Sequence, residues 1–444
     1  MAKSNGTSRK ATALALNGLV YDWNDVDAVG TFAPKPLQLL DETLRDGLQS
    51  PSVTDPPLAQ KLELLDLMEA LGIGHADVGL PGAGERQRSD VLAIARHLRK
   101  HKRTLRPAVA CRTVIADIAP AAELQQRAGM PIEVYAFIGS SPIRQLAEGW
   151  DVDHLLRTAA AAIDFCVQEQ LPVVFVTEDT TRSDPTTLDR LFRLAVEHGV
   201  DALCLCDTVG WATPAGVEQL LRWTRALLRG LGADQVRVEW HGHNDRGLAL
   251  INTLQAVRSG ADRVHATALG LGERVGNTPM DLLLLNLKLL GVYPRELTRL
   301  VEYVEAASRA CGVPIPRNYP LSGEDAFRTS TGVHAAAIIK AEALGDRALA
   351  DSIYSGVPAG WFGKEQIIEV GPMSGASNVS YWLRRRGFVA EAPLVRAILE
   401  RAKLSSRTLS DEEILAVVKA SAAPVDRPRR ARATTKLGSR RSEG

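Results

Sequence analysis

Pro172-Val173-Val174-Phe175-Val176-Thr177-Glu178-Asp179, residues 172–179, packs β-branched and aromatic residues into one short apolar run and stops abruptly at two carboxylates. So short a run, rich in valine, predicts a buried strand over 172–177 rather than a helix. Apolar residues at helical spacing follow over 186–198, and then Ala202-Leu203-Cys204-Leu205-Cys206 begins a second buried run that ends in Asp207-Thr208. A strand, a helix and a strand, each strand closed by polar residues, form the unit of a parallel sheet with crossover helices.

Outward from this stretch the unit recurs about eight times. Apolar runs lie near 37–42, 74–80, 105–110, 132–138, 172–177, 202–206, 236–241 and 262–266, with helical patterns between them such as 57–71, 151–169 and 214–229. Eight repeats over about 250 residues favour a closed (β/α)8 TIM barrel over an open doubly wound sheet. The reading divides the chain into a flexible N-terminal arm over 1–36, a barrel over 37–292 and a linker or lid over 293–374. A small helical subdomain over 375–421 and a disordered basic tail over 422–444 complete it. The stretch around Gly323, Gly332 and His334 reads as irregular.

Of the 444 residues, 45% are hydrophobic and 24% charged, and the formal net charge is +1. That is the balance of an ordinary soluble protein, and it points to neither nucleic acid nor a membrane surface. No apolar run approaches the ~20 residues of a membrane helix, and the N-terminus has no apolar core suited to a signal peptide. Five cysteines (Cys111, Cys166, Cys204, Cys206 and Cys311) are too few for a disulfide framework in so long a chain. They suit a reducing cytoplasm.

A barrel of this kind carries its active site at the C-terminal ends of the strands. The first strand delivers Glu42, Arg45 and Asp46 there, the second Asp77, the fourth Ser140, the fifth Glu178 and the sixth Thr208. The seventh delivers His241 and His243, and the loop after the eighth delivers Asn277. Residues two apart on an extended segment face the same side, so both imidazoles can reach one cation. Such a pair is also common as structural histidines. Asp46 adds a carboxylate from the neighbouring first strand, and Asn277 an amide oxygen. Two imidazoles, a carboxylate and an amide leave room for a chelating substrate on Mg²⁺ or Mn²⁺, with Zn²⁺ also open. Arg45 presents a fixed fork of donors that can stabilise an oxyanion or pair with Asp77 or Glu42.

These motifs resemble the DRE-TIM metallolyases, and among them the 2-isopropylmalate and homocitrate synthases. The residues that carry the resemblance are Asp41-Glu42-Thr43-Leu44-Arg45-Asp46-Gly47-Leu48-Gln49, His241-Gly242-His243-Asn244-Asp245, and Gly270-Leu271-Gly272-Glu273-Arg274-Val275-Gly276-Asn277. Beyond the barrel, Gly323-Glu324-Asp325, Ser330-Thr331-Gly332-Val333-His334, Ile353-Tyr354 and Gly371-Pro372-Met373-Ser374-Gly375 are similar to the synthases' later segments. The resemblance implies a homodimer that condenses an acyl-CoA, by default acetyl-CoA, with a 2-oxo acid. By it, Asp46, His241 and His243 bind the metal with Asn277 beside them, and Arg45 polarises the keto oxygen. Glu178, His334 and Tyr354 become candidates for moving protons, while Asp77, Ser140 and Thr208 fall on the substrate-binding side.

Three positions depart from the pattern. Leu48 replaces the Glu common in the synthases and is closer to 3-hydroxy-3-methylglutaryl-CoA lyases, Asp77 replaces a Glu, and Arg144 stands where a histidine is common. A lyase cleaving a 3-hydroxyacyl-CoA is therefore a competing reading. Leu271 and Glu273 oppose it, because they occupy a loop that carries a cysteine in those lyases. A non-catalytic binding relative is the third reading, and it predicts an eroded metal set. Fewer than 25 residues follow the helical subdomain, which leaves the large regulatory domain of leucine-inhibited synthases unexpected within this sequence.

Overall fold

Eight runs of mostly apolar residues become eight short parallel strands. They are β1 (Gln38–Asp41), β2 (His75–Asp77), β3 (Arg106–Arg112), β4 (Glu133–Gly139), β5 (Val173–Glu178), β6 (Ala202–Asp207), β7 (Arg237–Gly242) and β8 (Arg263–Ala266). The computed structural model describes residues 19–20 and 36–422. Each strand pairs with the next, and β8 returns to β1 in the register Leu40↔His265 and Asp41↔Ala266, which closes the barrel. The (β/α)8 expectation holds, and each strand starts within a residue or so of its apolar run.

Helices fill the crossovers: α1 (Leu58–Leu71), α2 (Glu85–Lys100), α3 (Ile115–Ala128), α4 (Pro142–Glu148), α5 (Val152–Gln168), α6 (Pro185–Glu197), α7 (Pro214–Gly230), α8 (Ala249–Arg258) and α9 (Met280–Leu289). Their starts are written locally. Asp151, Asp184 and Thr213 each accept a backbone N–H of the first turn of α5, α6 and α7. α1 has no side-chain cap at its start, and its end is closed by a left-handed Gly72 with φ 83°. One continuous core of leucine, valine, alanine and isoleucine lies between the strands and this helical coat.

The barrel interior has two characters. A small apolar layer contains Leu40, Ala108, Val174, Val176, Cys204 and Cys206. Beside it runs a buried polar column of Glu42, His265, Glu239, Tyr135, Arg263 and Glu133. Barrel interiors are usually filled by branched aliphatic residues, so this column is a departure that hydropathy alone does not announce.

After the barrel come α10 (Leu300–Cys311), β9 (Arg328–Thr329), α11 (Gly332–Ala343), α12 (Arg347–Ser352), β10 (Ile367–Ile368), α13 (Ala376–Arg385), α14 (Ala392–Lys403) and α15 (Asp411–Ala422). The chain forms two compact units. Among the described residues, one runs to Phe327 and includes Ser355–Glu365; the other joins Arg328–Tyr354 to residues 366–422. The stretch read as one linker over 293–374 is thus shared between the two. In the second unit β9 and β10 pair in parallel, and Val379, Trp382, Leu383, Ile398 and Ile414 form its core. The segment around His334, read as irregular, opens α11 instead: Ala335-Ala336-Ala337-Ile338-Ile339 are good helix formers, and they outweigh Gly332 at the first position. Apart from residues 19, 20, 36 and 422, the N-terminal arm and the basic tail lie outside the described residues. No described helix is long and apolar enough to cross a membrane.

Candidate metal centre

Three segments build the centre. After β1 the chain turns at once, with the N–H groups of Arg45 and Gly47 both donating to the Glu42 carbonyl. The turn is pinned by buried Asp41, which accepts from the Thr43 N–H at 2.8 Å and from the Tyr303 hydroxyl of α10. After β7, His243 continues the strand line and bridges Asn277 through the backbone. The loop after β8 needs glycine here: Gly276 has φ 91°, and a Cβ on it would run into the Gly270 carbonyl oxygen. Gly272 has a similar duty, since a Cβ there would stand 2.8 Å from the Asn277 amide nitrogen.

The side chains of Asp46, His241 and His243 converge. The two Nε2 atoms are 3.1 Å apart, and they lie 3.8 Å and 3.6 Å from Asp46 Oδ2. All three residues are buried, and their ligand atoms lie within 4.8 Å of one another. Asn277 joins them by donating its amide to Asp46 Oδ2 at 2.6 Å, while its own Oδ1 and the Nδ1 of His243 have no hydrogen-bond partner among the described residues. Buried polar atoms are rarely left so. Two facing imidazole nitrogens, a carboxylate and a spare amide oxygen are a donor set that fits a divalent cation.

Electrostatics support that fit. Burial disfavours charge on His241, yet the Glu42 carboxylate raises its pKa to about 10. Burial and the adjacent His241 push His243 down to about 4. The pair therefore shares a single positive charge where a cation would hold its own. Glu42 accepts from His241 Nδ1 at 2.7 Å, the outer-shell arrangement that turns a histidine's Nε2 toward a metal. Burial opposes charge on Glu42, but His241, Arg45 and His265 keep its carboxyl well below the usual range. Glu42, His241 and His265 form a second cluster of possible ligands.

Arg45 lies beside this centre as a three-way clamp. Its Nε donates to Asp77 at 2.7 Å, Nη2 to Glu42 at 2.9 Å and Nη1 to Asp46 at 3.2 Å. Asp77 is fully buried and pushed up to about 6 by that burial, in spite of Arg45.

A cavity of about 290 Å³ opens over the centre. Its polar side includes Arg45, the Asp46, His241 and His243 cluster, His265, Glu178, Thr208 and Arg274; Leu80, Ala110, Phe137 and Val176 form an apolar wall. Arg274 is held by Asp245 at 2.9 Å. Glu178 meets the Arg144 guanidinium at 3.2 Å; burial raises its pKa, and Arg144 opposes the rise. Thr208 accepts from the Asp179 N–H at 2.8 Å.

Asp77 and Ser140 are not in the cavity lining. Asp77 serves Arg45, and Ser140 is fully buried with its hydroxyl on the Glu178 carbonyl and on Ser183. His334 and Tyr354 belong to the second unit, where their rings stack at 4.1 Å between centroids. His265, Glu239, Tyr135 and Arg274 escaped the sequence reading. A histidine and an arginine alternating on one strand, Arg263 and His265, were the available signal.

The HMGL-like family profile matches residues 36–307, the whole barrel. The chain is 28% identical to a 2-isopropylmalate synthase of Xanthomonas axonopodis pv. citri (strain 306) over 398 residues, 86% of this chain and 72% of that protein. It is 29% identical to a 2-isopropylmalate synthase of Xylella fastidiosa (strain M23) over 383 residues, 83% and 69% of the two chains. Among solved structures, the HMG-CoA lyase of Bacillus subtilis superposes with a TM-score of 0.52 at 20% identity, covering 64% of this chain and 96% of that one, which supports the barrel fold. With a profile match that spans the barrel and the metal-ligand candidates it carries, the chain belongs to the HMGL-like family.

Proposed function

We propose that this protein joins the acetyl group of acetyl-CoA to the keto carbon of a 2-oxo acid and then hydrolyses the thioester to release CoA, the chemistry of a 2-isopropylmalate synthase. The observation that carries the proposal is the convergence of Asp46, His241, His243 and Arg45 on one cavity. A divalent cation held by Asp46, His241 and His243, with Asn277 beside it, would polarise the keto group of a chelating 2-oxo acid; Mg²⁺ and Mn²⁺ suit a mixed set completed by substrate oxygens, and Zn²⁺ is the alternative.

The chain supplies the rest. Arg45, fixed by Asp77 and Glu42, meets negative charge developing on the former keto oxygen without having to reorganise. The acetyl α-proton is weakly acidic and needs a positioned base. His334, stacked on Tyr354, takes that role, while Glu178 and Tyr354 handle protons during hydrolysis. Thr208 orients a substrate carboxylate. Leu80, Phe137 and Val176 face the substituent of the acid, which favours a short apolar side chain over the second carboxylate of 2-oxoglutarate. We infer a homodimer from the resemblance to the synthases, and a cytoplasmic setting suits five buried free thiols.

The test is CoA release from acetyl-CoA by Mn²⁺- or Mg²⁺-loaded protein against a panel of 2-oxo acids, with chelator controls. Metal-dependent release with a branched apolar acid supports the reading. Leu48 keeps the lyase as the second reading: cleavage of a 3-hydroxyacyl-CoA, with no thiol release from acetyl-CoA, would replace the synthase.

A further inference from the structure

His265 lies on β8, fully inside the barrel, and no step above uses it. Its Nδ1 is 3.2 Å from Glu42 Oε1 and its Nε2 is 3.1 Å from Glu239 Oε2. Both ring nitrogens thus lie within hydrogen-bond reach of a carboxylate, and the ring bridges Glu42 to Glu239. Glu239 is itself fixed, by the Tyr135 hydroxyl at 2.7 Å and by Arg263 and Arg237, each at 3.3 Å. At the other end, Glu42 Oε1 is held between His265 and Arg45 Nη2, which leaves Oε2 aimed at His241 Nδ1.

The order of the contacts decides what the column does. A carboxylate with one oxygen free to swing could accept from His241 in several poses. With Oε1 clamped on two sides, Oε2 has one pose, and His241 keeps its N–H on Nδ1 and its lone pair on Nε2. The Nε2 atom is the one that faces His243 and Asp46. We propose that His265 is a positioning residue: anchored on Glu239, it locks Glu42 so that His241 presents Nε2 to the cation. The proposal rests on the reading that Asp46, His241 and His243 hold that cation.

A rival use of the same atoms is a second ion on Glu42, His241 and His265, whose ligand atoms also cluster. Arg45 stands against it, because its Nη2 bonds at 2.9 Å the same Glu42 oxygen, Oε1, that faces His265, whereas on Asp46 it takes Oδ1 and leaves Oδ2 toward the two histidines.

The experiment titrates metal-free protein with Mn²⁺ and reads free Mn²⁺ by its paramagnetic resonance signal, so that catalysis plays no part. Wild type, His265→Ala, His265→Gln and Leu191→Ala are compared, with thermal midpoints alongside. Leu191 is a buried core residue on α6, and its truncation provides a loss of stability remote from the column. Wild type is expected to take up one Mn²⁺ per chain. His265→Ala weakens it by ~10–100-fold, and His265→Gln, which keeps a donor for Glu42, recovers part of the loss. Leu191→Ala lowers the midpoint but leaves Mn²⁺ affinity unchanged. Undiminished affinity in His265→Ala overturns the proposal, as does an equal loss in Leu191→Ala or a Gln variant no better than Ala. Two ions in wild type with one lost in His265→Ala would make His265 a ligand and overturn it too. No Mn²⁺ uptake by wild type would overturn the metal reading itself, a result distinct from all of these.

Discussion

Replacing Arg45 by lysine isolates the guanidinium's geometry from its charge. Arg45 satisfies Asp77, Glu42 and Asp46 at 2.7, 2.9 and 3.2 Å from three different nitrogens, and its side chain is 17% exposed, so solvent screens these bonds little. A lysine ammonium is one point donor at the end of a flexible stem. It can meet Asp77 or Glu42 but cannot span both and still face the substrate. Two charge-assisted bonds are lost, each worth about 1.5–3 kcal/mol where the partner stays ionised. Asp77 softens the penalty: its pKa already stands at about 6, so it takes up a proton when its clamp loosens. For turnover the relevant term is the lost oxyanion donor, about 2.7–4 kcal/mol, or a 10²–10³-fold fall in kcat. The assay is steady-state CoA release at saturating acetyl-CoA and 2-oxo acid, paired with a Mn²⁺ titration. Metal affinity should change far less than kcat, because Asp46 keeps its bond from Asn277. A kcat within about threefold of wild type would refute an oxyanion role for Arg45. A loss of turnover matched by a loss of metal would show that the clamp serves only Asp46.

Other variants read other parts of the site. His241→Ala removes a donor from the centre, so activity disappears with the metal while circular dichroism keeps the barrel signature; a metal-free variant with full activity would end the assignment. Arg144→Ala takes away the charge that opposes the burial-driven rise in Glu178. Its carboxyl then binds a proton more tightly, and the acid limb of the kcat/KM profile moves to higher pH; a shift to lower pH, or none, would remove Glu178 from proton transfer. Gly276→Ala forces a Cβ toward the Gly270 carbonyl at φ 91° and should cost about 1–3 kcal/mol of stability, with weaker metal binding as Asn277 is displaced; an unchanged thermal midpoint and affinity would contradict the packing. His334→Ala should keep the metal but stop deuterium exchange at the acetyl methyl, and persistent exchange would pass the base role to Glu178.

The barrel was legible because its signal is local: each strand is one apolar run, and each helix has its cap beside it, as with Asp184 before α6. The convergence of Asp46, His241 and His243 was legible because the two histidines share one strand line, and because Asp46 follows the first strand directly. The polar column was not. Glu42 meets His241 across 199 residues and His265 across 223, and nothing in the chain says which buried side chains will share a barrel interior until the strand register is known. Hydroxyl direction was equally hidden: β4 runs to Gly139, and Ser140 turns inward to Ser183 rather than out to the cavity. The helix α11 was obscured by Gly332 at its start, although the alanines after it carry the stronger signal.

The seam between β8 and β1 has a consequence for how the protein is made. Asp46 and Asn277, bonded to each other in the finished centre, are separated by 231 residues, and His241 and His243 are made only late in that interval. At about 5–20 residues per second, a ribosome needs roughly 10–50 seconds to travel from one to the other. During that time the nascent chain carries Asp46 without its histidine partners, so on the proposed reading a cation at this centre would be acquired only by a chain whose last barrel strands have left the ribosome. Cation binding there would reward the closed ring and no earlier form, which would make metal supply a checkpoint on completed synthesis.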